Sequence, residues 1–402
     1  MSITANAGTF TPNKTEPIHR WYQYMEGYSS QLVERELDAL TGKDIHTIYD
    51  PFGGAGTTLL SASMRGLTPY YSETNPFMSL VVRTKINRVM DLCRSPESLR
   101  LLNAFLSAFL SGDTEPANAI PFPDTWDGFE KYYPVKAFRQ ILDLKARIAH
   151  VEDPAVREIL MLALSSILVP ASKMIRRGDL RYARPSEKKC CQPVLGLFSE
   201  KLKEIITDIR ESGPSVLCPV HPLAEDCRCI QEENLIDCVI TSPPYLNGTN
   251  YIRNTKLELK LNDFVNSEAD LPDFHSRGIV AGINNVSKRN HHDTVLPQVQ
   301  DYIAKLQQCS YDKRIPLMAA NYFYDMNQVF SRLKQIMKTG SWFIMDIGDS
   351  QFAGVHIPTH RILAALCETH DFTLCSEDLL RTRHSKNGMK LSQRLLRFRL
   401  EK

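Results

Sequence analysis

Two short stretches of the chain hold the residue types best suited to chemistry. One is Thr241-Ser242-Pro243-Pro244-Tyr245, which follows the apolar run 236–240 and so lies at the carboxyl end of a predicted buried strand. Its prolines lack backbone N–H groups and have fixed φ angles. Their carbonyl groups and the Ser242 hydroxyl can accept hydrogen bonds, while Tyr245 offers a flat ring. The motif could hold a planar group with an exocyclic amine, or it could be a rigid turn with a packed tyrosine.

The second stretch is Asp50-Pro51-Phe52-Gly53-Gly54-Ala55-Gly56-Thr57, between a predicted strand at 45–50 and a predicted helix at 59–65. Strand, glycine loop and helix in this order form the turn at which backbone approaches a ligand closely. Gly54 and Gly56 permit that approach, and the helix N-terminus favours a negative group. Because no lysine follows the last glycine, the loop is not a phosphate-binding P-loop.

An acidic residue and a group of aromatic residues accompany this loop. Glu73 ends a second short strand roughly 20 positions after the glycines, where an acid commonly binds ribose hydroxyls. Together, the loop and Glu73 predict a cofactor that contains a nucleoside. Trp21, Tyr22, Tyr24 and Tyr28 could fill the core at a strand edge or form a wall against a flat ligand.

Helices and strands alternate along the chain, which predicts an α/β fold. Further helices are predicted at 30–40, 129–150, 155–168, 322–338 and 357–367. Further strands are predicted at 215–217, 341–348 and 391–400. Thr339-Gly340 is expected to end the helix before it. The polar stretch 262–312 has weak periodicity and is expected to be an insertion.

Length and composition restrict the class of protein. A chain of 402 residues implies two domains or one elaborated domain, and a net charge of +2 neither requires nor excludes a nucleic-acid partner. No apolar run has the length of a membrane helix, and residues 1–6 do not resemble a secretion signal, so we expect a cytoplasmic protein. Ten cysteines in a chain of this length do not suggest a disulfide framework.

Two groups of residues could bind a metal or DNA. The spacing of Cys218, His221, Cys227 and Cys229 is not a common zinc pattern, so we predict no metal site. The basic stretch 174–189 is the best candidate for binding phosphates, although a solvated loop explains it almost as well. The predicted DNA-binding residues are Arg176, Arg177, Arg181 and Arg184, with Arg253 from a later polar loop.

The two motifs together resemble those of the amino-methylating DNA methyltransferases, which transfer a methyl group from S-adenosylmethionine to an exocyclic nitrogen of cytosine (N4) or adenine (N6). The resemblance covers about half the chain. It implies a Rossmann-like α/β sheet with helices on both faces, and helical and loop insertions that recognise DNA. The implied divisions are a catalytic domain in three parts at 16–84, 211–254 and 316–402, a mostly helical insertion at 85–210 and a polar insertion at 255–315.

The resemblance also assigns roles to residues. The implied catalytic residues are Ser242, Pro243, Pro244 and Tyr245. The residues implied to bind S-adenosylmethionine are Tyr22, Tyr24, Tyr28, Asp50, Pro51, Phe52, Gly53, Gly54, Gly56, Thr57, Glu73, Asn75 and Asp226. Within this family Glu73 would take the ribose and Asp226 would lie near the adenine amine.

The first residue of the catalytic motif indicates the target base. Enzymes of this family that act on cytosine N4 usually have serine there, and those that act on adenine N6 usually have aspartate or asparagine, so Ser242 favours cytosine. The alternatives are adenine N6, an RNA or protein methyltransferase, and a non-catalytic DNA-binding relative. The resemblance implies duplex DNA as partner, a restriction-modification system in a prokaryotic cytoplasm, and a cognate endonuclease that acts separately.

Overall fold

A seven-stranded, mostly parallel sheet forms the centre of the computed structural model. The structure describes residues 7–24, 27–111, 125–211, 217–246, 249–286, 292, 294–385 and 387–401. The strands are β1 (Thr47–Asp50), β2 (Thr68–Ser72), β3 (Met174–Arg176), β4 (Leu180–Tyr182), β5 (His221–Ala224), β6 (Ile236–Thr241), β7 (Met337–Gly348), β8 (Ser350–Phe352), β9 (Val355–Ile357), β10 (Phe372–His384) and β11 (Lys390–Leu400). The order across the sheet is β10-β11-β7-β6-β1-β2-β5, and all neighbouring pairs are parallel except β10–β11 and β11–β7, because β11 runs opposite to the other strands.

Helices lie before, between and after these strands in the sequence. They are α1 (Ser30–Ala39), α2 (Thr57–Met64), α3 (Pro76–Arg83), α4 (Val89–Arg94), α5 (Pro96–Ser111), α6 (Val135–Ala149), α7 (Pro154–Ser166), α8 (Leu168–Ala171), α9 (Val194–Glu211), α10 (Tyr251–Asn254), α11 (Lys256–Leu261), α12 (Leu271–His275), α13 (Gln300–Cys309), α14 (Arg314–Ile336) and α15 (Thr359–Glu368). The alternation of helix and strand confirms the predicted α/β class.

Neighbouring residues of the central strands pack on opposite faces of the sheet. Ile48 and Ile240 face the helices α1 and α2, whereas Tyr49, Val239 and Phe343 face α14 and α15. Each fully buried side chain of this kind contributes about 1.5–3 kcal/mol to folding. Helices therefore cover both faces, as predicted, and the sheet is buried between them.

The chain between β2 and β5 is largely helical and builds an apolar core of its own beside the sheet. Side chains such as Phe129, Leu160 and Phe198 are fully buried there. This stretch also contains a short hairpin, β3 and β4, within the basic segment 174–189, for which no strand is predicted from the sequence. In the described part of the chain, no helix is both long and apolar enough to cross a membrane.

One local prediction was wrong, one falls mostly outside the described residues, and one strand was missed. Thr339-Gly340 does not end a helix, because α14 stops at Ile336 and both residues lie inside β7, where Gly340 has a φ of 77°. The strand predicted at 215–217 falls partly outside the described residues, and the strand that precedes Asp226 is β5. The edge strand β10 was not predicted, because its run of exposed charged residues lacks a clear apolar alternation.

Candidate active site

The two motifs meet at the centre of the sheet. Strands β1 and β6 are adjacent and parallel, so Asp50 and Thr241 end side by side. Thr241 Oγ1 donates to Asp50 Oδ1 (2.6 Å), and Asp50 also accepts from the Phe52 N–H (3.0 Å) and the Tyr28 hydroxyl (3.2 Å). Burial raises the pKa of Asp50 to about 6. The chain leaves β1 and β6 toward opposite edges, which makes this the switch point where open α/β sheets bind ligands.

Two glycines of the glycine loop lie so close to neighbouring side chains that a larger residue would crowd them. A Cβ at Gly56, which has a φ of 78°, would lie 3.2 Å from Val82 Cγ2. A Cβ at Gly53 would lie 3.1 Å from the ring of Tyr71. The loop therefore turns tightly over β2 and delivers the chain to the start of α2 at Thr57.

Glu73 folds back onto this loop. Its carboxylate accepts from the Gly54 N–H and from the Asn75 N–H, both at 2.8 Å. Burial raises the pKa of Glu73 to about 7. Asn75 caps α3 by accepting from the Phe77 N–H (3.1 Å), so the acid and the helix start are held together. Glu73 thus lies beside the glycine loop, as the ribose role requires.

A buried lysine lies beneath the glycine loop. Lys85 Nζ donates to the carbonyl groups of Ala55 and His19, both at 3.1 Å. Burial lowers the pKa of Lys85 to about 7. These bonds fix the Ala55 carbonyl and join the loop to the amino-terminal segment. Sequence reasoning missed Lys85, because an isolated lysine in an apolar helical stretch has no motif around it.

A cavity with about 1070 Å³ of empty space, part of it open to solvent, lies against both motifs. Most of the predicted site residues contribute to its walls. They are Tyr24, Tyr28, Asp50, Pro51, Phe52, Gly53, Gly54, Thr57, Glu73, Asn75, Asp226, Ser242, Pro243 and Pro244. Gly56 shapes the loop behind this wall, whereas Tyr22 and Tyr245 lie elsewhere.

Tyr22 lies outside the cavity in the apolar core. Its hydroxyl donates to Glu258 Oε1 (3.0 Å), and its ring packs edge-on against Phe77 with centroids 5.0 Å apart. Glu258 is buried and also accepts from Arg176 (2.7 Å), so it needs such donors. The structure therefore places Tyr22 in a buried polar network, away from the position expected for a cofactor contact.

Tyr245 lies on the far side of its loop from the cavity. Its hydroxyl is hydrogen-bonded to the side chains of Ser242 and Asp346 and accepts from Gln393 Nε2 (2.9 Å). Its ring lies against Gly348, where a Cβ would come within 3.0 Å of Tyr245 Cε2. The loop Ser242–Tyr245 thus separates the cavity from the side of the sheet formed by β7 and β11.

Asp346 and Gln393 hold the tyrosine in this place. Gln393 Nε2 lies 2.8 Å from both oxygens of Asp346 and 3.0 Å from the Gly8 carbonyl oxygen, while Arg381 Nε donates to Gln393 Oε1 (2.6 Å). Burial raises the pKa of Asp346 to about 7. Sequence reasoning missed this network. A buried Asp in the apolar strand 341–348 was the signal that could have revealed it.

The predicted polar insertion supplies one wall of the cavity. Its contribution comes from the end of α12 and the turn after it, namely Phe274, His275, Arg277, Gly278, Ile279 and Asn285. Arg228 holds this wall in place. It donates to the carbonyl of Arg277 (3.2 Å), to Asp226 Oδ2 (2.7 Å) and to Asp325 Oδ1 (2.7 Å). The Asp226 carboxylate at the cavity is therefore oriented by an arginine.

Tyr251 is another cavity residue that the sequence did not single out. Its hydroxyl accepts from the backbone N–H of Tyr245 (3.1 Å), and its side chain contributes to the cavity wall. It therefore contacts both the catalytic motif and the cavity. The polar loop around it gave no periodic signal from which this role could be inferred.

Most of the arginines predicted to bind DNA are ion-paired. Arg176 pairs with Glu258 (2.7 Å), Arg181 with Glu187 (2.8 Å) and Arg253 with Asp179 (3.5 Å). Arg177 lies 3.7 Å from Glu187, and Arg184 is exposed just before a short helical turn. Arg177, Arg184 and Arg253 are exposed, whereas Arg176 and Arg181 are partly buried.

The cysteine and histidine cluster is dispersed. The His221 ring lies against Tyr70 with centroids 5.4 Å apart, and Cys227 is buried. All cysteines in the described ranges are free thiols. Within those ranges, no three His, Cys, Asp or Glu residues are grouped closely enough to hold a metal ion.

The chain is similar in sequence to named methyltransferases. It is 24% identical over 415 residues to the type II methyltransferase M.AvaI of Nostoc sp. (strain PCC 7120), covering 93% of this chain and 83% of that protein. It is 22% identical over 417 residues to the type II methyltransferase M.BsoBI of Geobacillus stearothermophilus, covering 90% and 80%. A shorter match to the type II methyltransferase M.MvaI of Kocuria varians is 31% identical over 80 residues, or 19% of this chain. No protein-family model matches the chain.

Solved structures give weaker similarity. The rRNA methyltransferase aviRa from Streptomyces viridochromogenes covers 96% of this chain and 85% of its own, at 8% identity and a TM-score of 0.29. A SAM-dependent methyltransferase from Methanosarcina mazei covers 50% and 78%, at 8% identity and a TM-score of 0.22. Both scores are too low for these structures to bear on fold or function.

Proposed function

We propose that this protein is a DNA methyltransferase of a restriction-modification system. It transfers a methyl group from S-adenosylmethionine to the exocyclic N4 of a cytosine that has flipped out of duplex DNA. The observation that carries this proposal is the hydrogen bond between Asp50 and Thr241, which joins the glycine loop to the Ser242–Tyr245 loop at one cavity. Similarity to two type II methyltransferases along nearly the whole chain supports it.

The residues around the cavity fit S-adenosylmethionine. Glu73 and Asp226 line the cavity, and their carboxyl oxygens can accept hydrogen bonds from hydroxyl and amino groups. Phe52 and Ile279 offer apolar surface for a flat ring, and at Gly54 the backbone can approach a ligand without an intervening side chain.

When bound, S-adenosylmethionine supplies an electrophilic methyl group. The protein's task is to make the cytosine amine a better nucleophile, because its lone pair is delocalised into the ring. The Ser242 hydroxyl and the Pro243 carbonyl accept hydrogen bonds from that amine and draw the nitrogen toward tetrahedral geometry. The methylated amine loses its extra proton to water after the transfer, so no strong general base is required. Tyr245 supplies the ring that contacts the flipped base. The Tyr245 hydroxyl is hydrogen-bonded to the Ser242 side chain, so each side chain holds the other in position.

Adenine N6 is the second candidate target, because serine at the first motif position does not exclude it. The chemistry at the two amines is the same. The distinction depends on the shape of the base pocket beside Ser242 and Tyr245. RNA is a third candidate substrate, and it would require the same cofactor cavity.

The test is methyl transfer from labelled S-adenosylmethionine to unmethylated genomic DNA and, separately, to RNA, followed by mass spectrometry of the nucleosides. We expect N4-methylcytosine in DNA. N6-methyladenine would replace the proposed target with the second candidate, and label confined to RNA would contradict the proposal. The Ser242→Ala variant should lose about 100-fold in turnover while it keeps cofactor affinity in calorimetry, because it removes one amine acceptor. Wild-type turnover in this variant would contradict the catalytic role.

A further inference from the structure

The carboxyl-terminal hairpin, β10 and β11, places two arginines beside Tyr245. Arg381 Nε donates to Gln393 Oε1 (2.6 Å), and Gln393 Nε2 donates to the Tyr245 hydroxyl (2.9 Å). Arg383 donates to the Asp349 carbonyl (2.7 Å), and its guanidinium lies next to the Gly348 backbone on which the Tyr245 ring rests. The arginines therefore flank the ring on the side of the loop that faces away from the cofactor cavity.

Two more cations continue this surface away from the tyrosine. Arg361 and Lys390 are exposed and line a second, open concavity, together with Asp349 and Ser392. Asp349 links this concavity to the arginines beside Tyr245, because its backbone carbonyl accepts a hydrogen bond from Arg383. The hairpin surface, defined by Arg361, Arg381, Arg383 and Lys390, thus extends from the base-contacting ring to solvent.

Within the described ranges the four cations of the hairpin surface form no direct ion pairs, and the carboxylates of Asp346 and Asp349 act on Arg381 and Arg383 only at longer range. The nearby acids have other partners. Asp349 accepts from His360 Nδ1 (2.5 Å) and from the Ser392 hydroxyl (2.7 Å). Glu377 pairs with Arg394 (2.6 Å). Cations left unpaired in this way attract a polyanion.

We propose that the hairpin surface binds the phosphates of duplex DNA next to the flipped nucleotide. This inference rests on the proposed function. A base that leaves the stack stays attached to its sugar and to two phosphates, so those phosphates must pass close to the ring that receives the base. Guanidinium groups match phosphate oxygens with two parallel hydrogen bonds, which suits Arg381 and Arg383. Arg361 and Lys390 then contact phosphates farther along the DNA backbone.

The test compares the binding of a fluorescent random-sequence DNA duplex by the wild type and by the Arg361→Gln/Lys390→Gln variant, between about 50 and 200 mM salt. Loss of two phosphate contacts should make the slope of log affinity against log salt less steep by about 1.8 and weaken binding about tenfold. Calorimetry with S-adenosylmethionine checks that the fold is intact. The control variant, Lys136→Gln/Arg139→Gln, removes two exposed cations of α6 and should keep the wild-type slope.

An unchanged slope in the Arg361→Gln/Lys390→Gln variant, with cofactor binding intact, would overturn the proposal. An equal loss in the α6 control would also overturn it, because it would show general rather than local attraction. Methyl transfer to DNA by the wild type is measured separately. If the wild type methylates DNA but the Arg361→Gln/Lys390→Gln variant has the same salt dependence of DNA binding as the wild type, this inference fails and the proposed function stands. If it methylates no DNA, the proposed function fails whatever the slope.

Discussion

The chain contains two basic hairpins that differ in what surrounds their charges. In the β3–β4 hairpin, Arg176 pairs with Glu258 and Arg181 pairs with Glu187. In the β10–β11 hairpin, Arg381 and Arg383 have no carboxylate within ion-pair distance among the described residues. The first hairpin uses these arginines in ion pairs, as the second hairpin does with Arg394 and Arg397, which pair with Glu377 and Glu36. The contrast therefore concerns the end of the second hairpin that lies near Tyr245. The positive charge that a hairpin offers to a ligand depends on whether carboxylates already pair with its arginines. A count of basic residues in the sequence does not reveal this.

The largest expected effect is on stability, in the β3–β4 hairpin. Arg176→Ala leaves the buried carboxylate of Glu258 without its cation and should lower the free energy of unfolding by about 3–5 kcal/mol. Urea denaturation measures this. The matched control is Arg177→Ala, which removes a largely exposed guanidinium 3.7 Å from Glu187 and should change stability by less than about 1 kcal/mol. Equal stability of the two variants would contradict a structural role for the ion pair between Arg176 and Glu258.

The next effect is on catalysis, beside the carboxyl-terminal hairpin. Gly348→Ala places a Cβ 3.0 Å from Tyr245 Cε2 and 3.4 Å from the Arg383 guanidinium, so the ring must move. A shift of this kind should lower the rate of methyl transfer about 100-fold, with little change in cofactor affinity. Steady-state kinetics and calorimetry separate the two effects. Gly196→Ala, in open space within α9, is the control, and a comparable loss there would discount the contact with Tyr245.

The smallest effect is a pH dependence from Asp346, the buried acid that contacts Gln393 next to Arg381. The pKa of Asp346 is raised to about 7, so the folded state holds a proton that the unfolded chain releases at lower pH. The contribution of protonated Asp346 to the free energy of unfolding is fully present below the pKa that Asp346 has in the unfolded chain. It is lost as pH rises through the folded pKa of about 7. Relative to Asp346→Asn, the wild type should therefore lose about 1.4 kcal/mol per pH unit between pH 5 and 7.

The raised pKa values of Asp50 and Glu73 also make stability depend on pH. Both residues are present in the wild type and in Asp346→Asn, so their contributions cancel when the two unfolding free energies are subtracted. Denaturation of both proteins across this pH range gives the measurement. A constant difference in stability would mean that Asp346 is charged throughout. It would then act as a counter-ion to Arg381, which would weaken the contrast between the hairpins.

The sequence predicted those parts of the fold that depend on local patterns. The strands at β1, β6 and β11 and the glycine loop were predicted because short apolar runs end at distinctive residues such as Asp50 and Thr241. The direct contact between these two residues supports the prediction that both motifs serve one site. Local pattern failed at Gly340, where a glycine that commonly ends helices lies in the middle of a strand.

Other features of the site depend on contacts between distant parts of the chain, which no local pattern records. Tyr22 and Tyr24 are two residues apart, yet the demand of buried Glu258 for donors draws only Tyr22 into the core. Arg277 lies in a polar stretch without periodicity, and it reaches the cavity because Arg228 binds its carbonyl. Lys85 could not be identified without knowing which backbone carbonyl groups lie above it.

The contact between Asp50 and Thr241 also has a consequence for how the protein folds. The two residues are 191 positions apart, so their hydrogen bond closes a loop that includes the whole helical stretch between β2 and β5. Closing so long a loop costs chain entropy before the contact can contribute, whereas α3 to α9 form from nearer neighbours. We therefore expect the helices to become protected from hydrogen exchange early in refolding. The active site would be completed late, when β6 inserts between β1 and β7.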